Sequence, residues 1–294
     1  MINFKYYLYF TFYFEFVWLK NAMQIEILEK NDRKIIFVIK GISVEMINAL
    51  RRIIVSEIPV FAIDEVIFLK NDSPLYDEII SHRLGMIPLK TDLEKYNLPK
   101  DCECGGFGCP LCQVSLTCEI TNTANKPIFV NSGDLKSNDP NIIPVDPNIP
   151  IIKIDKNAKF IIEAYAILGT SRNHIKHQAA SGCFFRYLPE IEYDEKSIKD
   201  EEVKKLIVKM CPEKLYTLNG SLQLKEDYWK MCTLCKACEK NSNDKIKVKW
   251  EKDSYLFLIE SDGVLPFDAL LKKTFEIFTE KIDEFVSKLE EIKI

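Results

Sequence analysis

Eight of the ten cysteines in this 294-residue chain fall into two short groups, and thiols gathered so closely suit metal ligation better than a disulfide framework. The first group, Cys102, Cys104, Cys109 and Cys112, is spaced C-x-C-x4-C-x2-C around Gly105, Gly106 and Gly108. Four thiolates on a glycine-rich loop suffice for a closed tetrahedral Zn²⁺ site. A closed site has no open position for a metal-bound water, so its role is structural and not hydrolytic. Four free thiols are the alternative. The second group, Cys232, Cys235 and Cys238, is spaced C-x2-C-x2-C, with Cys211-Pro212 upstream.

That second run resembles the ligand pattern of bacterial-type ferredoxins, where a Cys-Pro from the other half of the fold completes the set. Cys211-Pro212 fills that place, so the pattern predicts one [4Fe–4S] cluster on Cys211, Cys232, Cys235 and Cys238. A [3Fe–4S] cluster, or zinc on the same four thiols, is the alternative. A second cluster would need another C-x2-C-x2-C before Cys211, and 190–210 contains none. The two remaining cysteines read as core fillers, Cys118 because it shares an alternating apolar face with Val114, Leu116 and Ile120, and Cys183 because a free thiol is most often buried. His174 and His177 suggest a catalytic pair, yet no nucleophile or carboxylate stands at a fixed spacing beside them, so no catalytic residue is predicted.

These sites need elements to hold them, and 47% hydrophobic content in a chain this long can bury roughly three quarters of the unfolded surface. Two or three subdomains follow from the length. A net charge of −4 argues against a basic face that neutralises phosphates, so direct nucleic-acid binding is not the main task. Clustered free thiols imply a reducing cytoplasm. Met1 to Leu19 are aromatic and apolar, but Lys5 and Glu15 interrupt them and no small-residue cleavage site follows, against a signal peptide or a membrane anchor. Met23 reads as the better start, with 1–22 an extension outside the fold that arises from an upstream misreading of the start codon.

From Met23 onward, Ile25 and Ile27, then Ile35, Phe37 and Ile39, alternate as a hairpin with one buried face. A helix over 43–58 follows, capped by Ser43, favoured by Glu45 in its first turn and stopped by Pro59. Val44, Ile47, Leu50, Ile53 and Ile54 form its apolar stripe, opposite Asn48, Arg51 and Arg52. Strands are predicted over Phe61–Leu69, Val114–Ile120 and Phe160–Leu168, with a short helix over Tyr76–Leu84 and loop chemistry over 131–150. Residues 190–209 are charged and helix-prone; 246–250 and 255–259 read as two further strands, and the last helix begins at Pro266. Along that helix Leu271, Phe275, Phe278, Ile282, Phe285, Leu289 and Ile292 alternate at spacings of four and three, a heptad seam about 40 Å long at 1.5 Å of rise per residue. A helix over 43–58 spans only about 24 Å, so part of the seam is expected to await a partner.

Asn48-Ala49-Leu50-Arg51-Arg52, Glu57-Ile58-Pro59, Ala62-Ile63-Asp64, His82-Arg83-Leu84-Gly85-Met86-Ile87-Pro88-Leu89 and Gly263-Val264-Leu265-Pro266, in that order, resemble the α-like subunits of cellular RNA polymerases. The resemblance runs from Met23 to Ile294 and is of the archaeal D type, the counterpart of the bacterial α amino-terminal domain. It implies an α+β fold. Residues 23–60 and 244–294 would form a dimerisation subdomain of antiparallel strands and two helices, 61–188 an inserted mixed α/β subdomain carrying the first cysteine loop, and 189–243 a ferredoxin-like iron–sulfur insertion. Such loops occur in only some archaeal relatives, and the insertions carry differing numbers of clusters.

The same resemblance implies a cytoplasmic, non-catalytic subunit of a nucleotidyltransferase complex that pairs with the small α-like subunit L and seeds docking of the large catalytic subunits and of the small subunits N and P. Asn48, Arg51 and Arg52 would face the large subunits. Phe275, Phe278, Ile282, Phe285 and Leu289 would face subunit L, while Gly169 to Lys176 would be a structural and subunit-contacting loop. The competing reading is an electron-transfer or redox-sensing protein; against it, one cluster offers no onward relay within the chain.

Overall fold

The computed structural model describes residues 23–194 and 198–292, so the extension expected over 1–22 lies outside the described residues. Two compact units divide the chain, one made of 23–29, Ile36–Ile47 and Phe184–Leu258, the other of Lys30–Ile35, Asn48–Cys183 and 259–292. Antiparallel pairing runs through a mixed α/β architecture.

In the first unit a four-stranded sheet has the order β1 (Gln24–Lys30), β2 (Lys34–Lys40), β12 (Ile246–Glu260), β9 (Gly182–Tyr193). An aromatic ladder knits β2, β12 and β9. Phe37 stacks on Phe257 with ring centroids 5.2 Å apart, Phe185 meets Tyr255 edge-on at 5.5 Å, and Tyr187 lies 5.2 Å from Tyr255. Ile25 and Ile27 are 51% and 57% exposed because β1 is an edge strand, so the buried face expected of the hairpin belongs to β2 alone. The helix expected over 190–209 is also shorter than its composition suggested. Strand β9 runs on to Tyr193, since Ile191 and Tyr193 alternate against an apolar cluster, and only Glu201–Met210 (α3) is helical. Likewise 246–250 and 255–259 form one strand, passing through Asp253 at φ +53°, whose carbonyl accepts from the Gly41 amide at 2.8 Å. A small hairpin, β10 (Tyr216–Leu218) with β11 (Leu222–Leu224), and two short helices, α4 (Tyr228–Met231) and α5 (Ala237–Asn241), complete the unit.

Helix α1 (Val44–Ser56) starts as its sequence dictates, with the Ser43 hydroxyl accepting from the Met46 amide at 3.5 Å and holding the Glu45 carboxyl below its usual range. Ile47, Leu50, Ile53 and Ile54 are buried.

The second unit is built on an antiparallel sheet ordered β3 (Val60–Asn71), β8 (Lys159–Gly169), β4 (Gln113–Thr121), β6 (Lys136–Ser137). Strand β3 pairs with β8 from Val60 opposite Gly169 to Asn71 opposite Phe160, with irregularities at Ile63/Glu65 and Phe68/Lys70. Phe160, Ile162, Ala164, Ala166 and Leu168 alternate inward from β8 and meet Val114, Leu116 and Cys118 of β4 in one core. Helix α2 (Asp77–Gly85) adds Ile80 and Leu84 to that core, and a second ladder, β5 (Ile128–Asn131) with β7 (Pro150–Ile154), adds Val130 and Ile152. Helix α6 (Phe267–Glu291) ends the described chain. Among the described residues no helix is long and apolar enough to cross a membrane.

Candidate metal centres and partner face

The first cysteine loop hangs between a 3-10 turn at Pro99–Asp101 and strand β4, and its neck is closed by the Asn97 amide bonding to the Leu111 carbonyl at 2.9 Å. Sulfur–sulfur distances are 3.5 Å for Cys102–Cys109 and Cys104–Cys112, 3.6 Å for Cys102–Cys104 and 3.7 Å for Cys109–Cys112. A tetrahedron with metal–sulfur bonds of about 2.3 Å has edges of about 3.8 Å, so the four thiols already stand near the spacing one ion requires. All four ligand atoms lie within 4.8 Å of one another, and the group could hold a metal ion. Burial opposes ionisation of Cys104, yet the S–H groups of Cys112 and Cys102 and the Gly106 amide outweigh it and bring its thiol down to about 6. Burial pushes Cys112 up to about 12. Gly108 sits at φ +84°, a left-handed conformation that glycine takes without steric cost, and a β-carbon there would require the Gln113 side-chain amide to swing aside.

Cys211, Cys232, Cys235 and Cys238 line one pocket with Ile191, Leu215, Tyr216 and Val248. Their sulfurs are not drawn together as those of the first loop are: among the described residues the 102–112 set is the one group of three or more such ligands gathered within 4.8 Å. The ligands of a polynuclear cluster bind different irons and not one shared ion, so they need not be drawn to one point. Helix α3 ends at Cys211, whose sulfur accepts from the Leu215 amide at 3.4 Å. Leu234 and Lys236, between the other three cysteines, take left-handed φ values of +57° and +58°. Non-glycine residues hold that conformation only where the surroundings impose it. Cys211, Cys232 and Cys238 are buried and Cys235 is exposed. Burial raises the thiols of Cys232 and Cys238, while the Tyr216 hydroxyl, buried beside Cys238, acts on that thiol in the opposite direction. Four thiols lining one pocket, three of them buried and one with a tyrosine hydroxyl beside it, are the kind of donor set a sulfur-rich cluster takes, so the residues present fit the cluster expected from the spacing.

Cys118 and Cys183 are buried core thiols, each pushed up to about 12 by burial. The histidine pair is structural in its contacts. His177 is buried with Nδ1 2.8 Å from the Val60 carbonyl, and Lys176 Nζ reaches the Ile63 carbonyl at 3.2 Å and Asp64 at 2.5 Å. Gly169 leaves room for that ring, since a β-carbon there would lie 2.6 Å from it.

On α1, the Arg51 Nε donates to the Asn48 side-chain oxygen at 3.1 Å, and Arg52 is exposed. On α6, Phe267, Leu270 and Thr274 are buried, whereas Phe275, Phe285, Leu289 and Ile292 are 40%, 59%, 39% and 60% exposed; Leu271, Phe278 and Ile282 are half-buried. Lys281 on α6 pairs with Glu57 beyond the end of α1 at 2.9 Å. Spacing reasoning missed two residues, Tyr216 at the pocket and Arg186 behind it. Both belong to ordinary-looking strands, and only the fold brings them to the thiols.

Residues 36–282 match the family described as the RNA polymerase Rpb3/Rpb11 dimerisation domain. The chain is 38% identical over 279 residues to the DNA-directed RNA polymerase subunit Rpo3 of Methanosphaera stadtmanae, covering 92% of this chain and 99% of that one. It is 35% identical over 270 residues to the subunit of the same name from Archaeoglobus fulgidus, covering 92% and 99%, and 37% identical over 268 residues to that of Pyrobaculum calidifontis, covering 90% and 96%. A polymerase dimerisation-domain protein is therefore the class that fold and comparisons define. The chain belongs to the family of archaeal RNA polymerase subunits called Rpo3, or D. Nothing in these comparisons supports the electron-transfer reading.

Proposed function

We infer that this chain is a non-catalytic assembly subunit of DNA-directed RNA polymerase that pairs with the small α-like subunit L and seeds docking of the large catalytic subunits, with subunits N and P joining the assembly. One observation carries the reading: the family match spans the dimerisation domain, and the final helix of that domain exposes an apolar row at heptad spacing. Phe275, Phe278, Ile282, Phe285 and Leu289 face subunit L, and Asn48, Arg51 and Arg52 face the large subunits. The dimerisation subdomain takes 23–60 and 244–294, the insert 61–188, and the iron–sulfur insertion 189–243.

Tetrahedral spacing and ligand type favour Zn²⁺ for the 102–112 loop, and the ferredoxin-like spacing of four cysteines that line one pocket favours one [4Fe–4S] cluster on Cys211, Cys232, Cys235 and Cys238. Either group, when bound, supplies cross-linking of the chain and no chemistry on a substrate. The assembly works in the cytoplasm. Co-purification of tagged subunit L with the wild-type chain and with Phe285→Asp tests the pairing. Phe285 is exposed, so the variant folds, as circular dichroism will report, while an unpaired charge in the interface abolishes pairing. A folded Phe285→Asp chain that still retains subunit L would move the interface off this helix.

A further inference from the structure

Strand β9 carries Arg186 directly behind the second cysteine site. Its Nη1 donates to the carbonyl of Cys232 at 3.2 Å and to that of Met231 at 3.4 Å, while Nη2 donates to the carbonyl of Lys230. These three carbonyls close helix α4 (Tyr228–Met231), where unpaired backbone oxygens gather negative partial charge. The third Arg186 donor, Nε, is buried with no partner. Half-buried arginines of this kind are held by planar, multi-pronged contacts that lysine cannot reproduce. Here the fork closes on the backbone of a ligand residue, one step before the Leu234 and Lys236 conformations that shape the rest of the loop.

We propose that Arg186 is a positioning residue for the iron–sulfur site: it fixes the backbone at Cys232, and thereby that ligand's sulfur, and keeps a permanent positive charge beside that ligand. This role rests on the cluster reading of Cys211, Cys232, Cys235 and Cys238. Two consequences separate it from simple helix capping. Reduction adds negative charge to a cluster, so a nearby cation favours the reduced form and raises the potential; a neutral replacement lowers it. Freeing the Cys232 backbone also lets the ligand leave more readily, because ligand orientation depends on the contacts behind it.

The test uses the full chain, purified anaerobically as wild type, Arg186→Gln and Arg186→Lys. Each is titrated with redox mediators, and iron loss to a chromogenic chelator is timed. Arg186→Gln moves the midpoint to a more negative value by about a tenfold change in the reduced-to-oxidised ratio, 59 mV for a one-electron couple, and loses iron several-fold faster. Arg186→Lys returns the midpoint close to wild type yet still loses iron faster, since an ammonium cannot span three carbonyls. If Arg186→Gln fails to fold, Arg186→Lys decides, and iron loss at the wild-type rate overturns the clamp. An iron-loaded Arg186→Gln chain with wild-type midpoint and wild-type iron loss overturns the role alone. A wild-type chain that holds no iron overturns the cluster reading itself, and this role with it.

Discussion

In the 102–112 loop four sulfurs stand within 4.8 Å of one another, four of their pairs at 3.5–3.7 Å, and none of them belongs to the apolar core assembled around Phe61, Phe160 and Leu168. At the other site Cys211, Cys232 and Cys238 are themselves members of the core, packed with Ile207, Leu215, Tyr216, Leu222 and Val248. The first loop is an ornament on a unit that has its core already. The second site is a large part of what its surroundings have for a core. Ligand type is the same in both, so the consequence of losing a metal is set by how much apolar packing remains without it, and metal-binding energy becomes folding energy only where that packing is thin.

The largest effect therefore belongs to the second site. Cys235 is exposed, so Cys235→Ser removes a ligand without removing buried packing. We expect the anaerobic variant to lose about four irons per chain and to be cleaved within 190–240 on the order of tenfold faster by a trace of protease, because opening there no longer costs cluster energy. Cys109→Ser should release zinc and leave the rest of its unit as protease-resistant as before. Equal resistance of Cys235→Ser and wild type within 190–240 would erase the contrast.

A smaller effect tests the tightness of the first loop. Gly108→Ala must keep φ +84° with a β-carbon aimed at the Gln113 side chain, and left-handed strain of this kind costs about 1–3 kcal/mol. Competition with a chromogenic chelator should show weaker zinc retention, by roughly tenfold or more at that cost. Unchanged retention would mean that the loop closes by another path.

How far the residues announced this arrangement depends on how local each signal is. Helix α1 was readable from Ser43, its apolar stripe and Pro59, and β8 from strict alternation, because capping and periodicity act over a few residues. The 102–112 thiols were readable as a group from their spacing, and they do converge. What escaped were features fixed at a distance. Strand β9 continues through Glu190–Tyr193 despite their charge because Ile191 and Tyr193 find partners far along the chain, and tertiary packing overrode helix propensity. The exposure of Ile25 and Ile27 depends on their strand being at the sheet edge, which alternation alone cannot reveal. Arg186 reaches its three carbonyls across more than forty positions of sequence, and no local pattern marks it.

The smallest expected effect concerns the anchor that holds the first loop without a metal. Asp139 is buried, accepts from the Tyr96 hydroxyl at 2.5 Å and from the Lys95 ammonium, and takes the Asn141 amide at 2.9 Å. Tyr96 in turn packs edge-on against Phe61 with centroids 5.0 Å apart, next to the Asn97–Leu111 bond at the neck of the loop. The Lys95 ammonium, with the Tyr96 hydroxyl and the Asn141 amide, depresses the Asp139 carboxyl to about 2 from an ordinary 3.8. A depressed carboxyl contributes stability that is complete above its unfolded value and is lost as pH falls toward its folded one, here from about pH 4 down to about pH 2. Asp139→Asn should thus cost on the order of 1–2 kcal/mol at pH 7, the worth of a charge-assisted hydrogen bond, measured by urea unfolding of the full chain. The difference between wild type and variant should shrink as pH falls below about 4, while the cysteine thiols, protonating alike in both proteins, cancel from it. A difference that stayed constant from pH 7 to pH 3 would show that the Asp139 charge does not hold the loop's anchor, and the independence of the first site from its metal would have to rest on packing around Tyr96 alone.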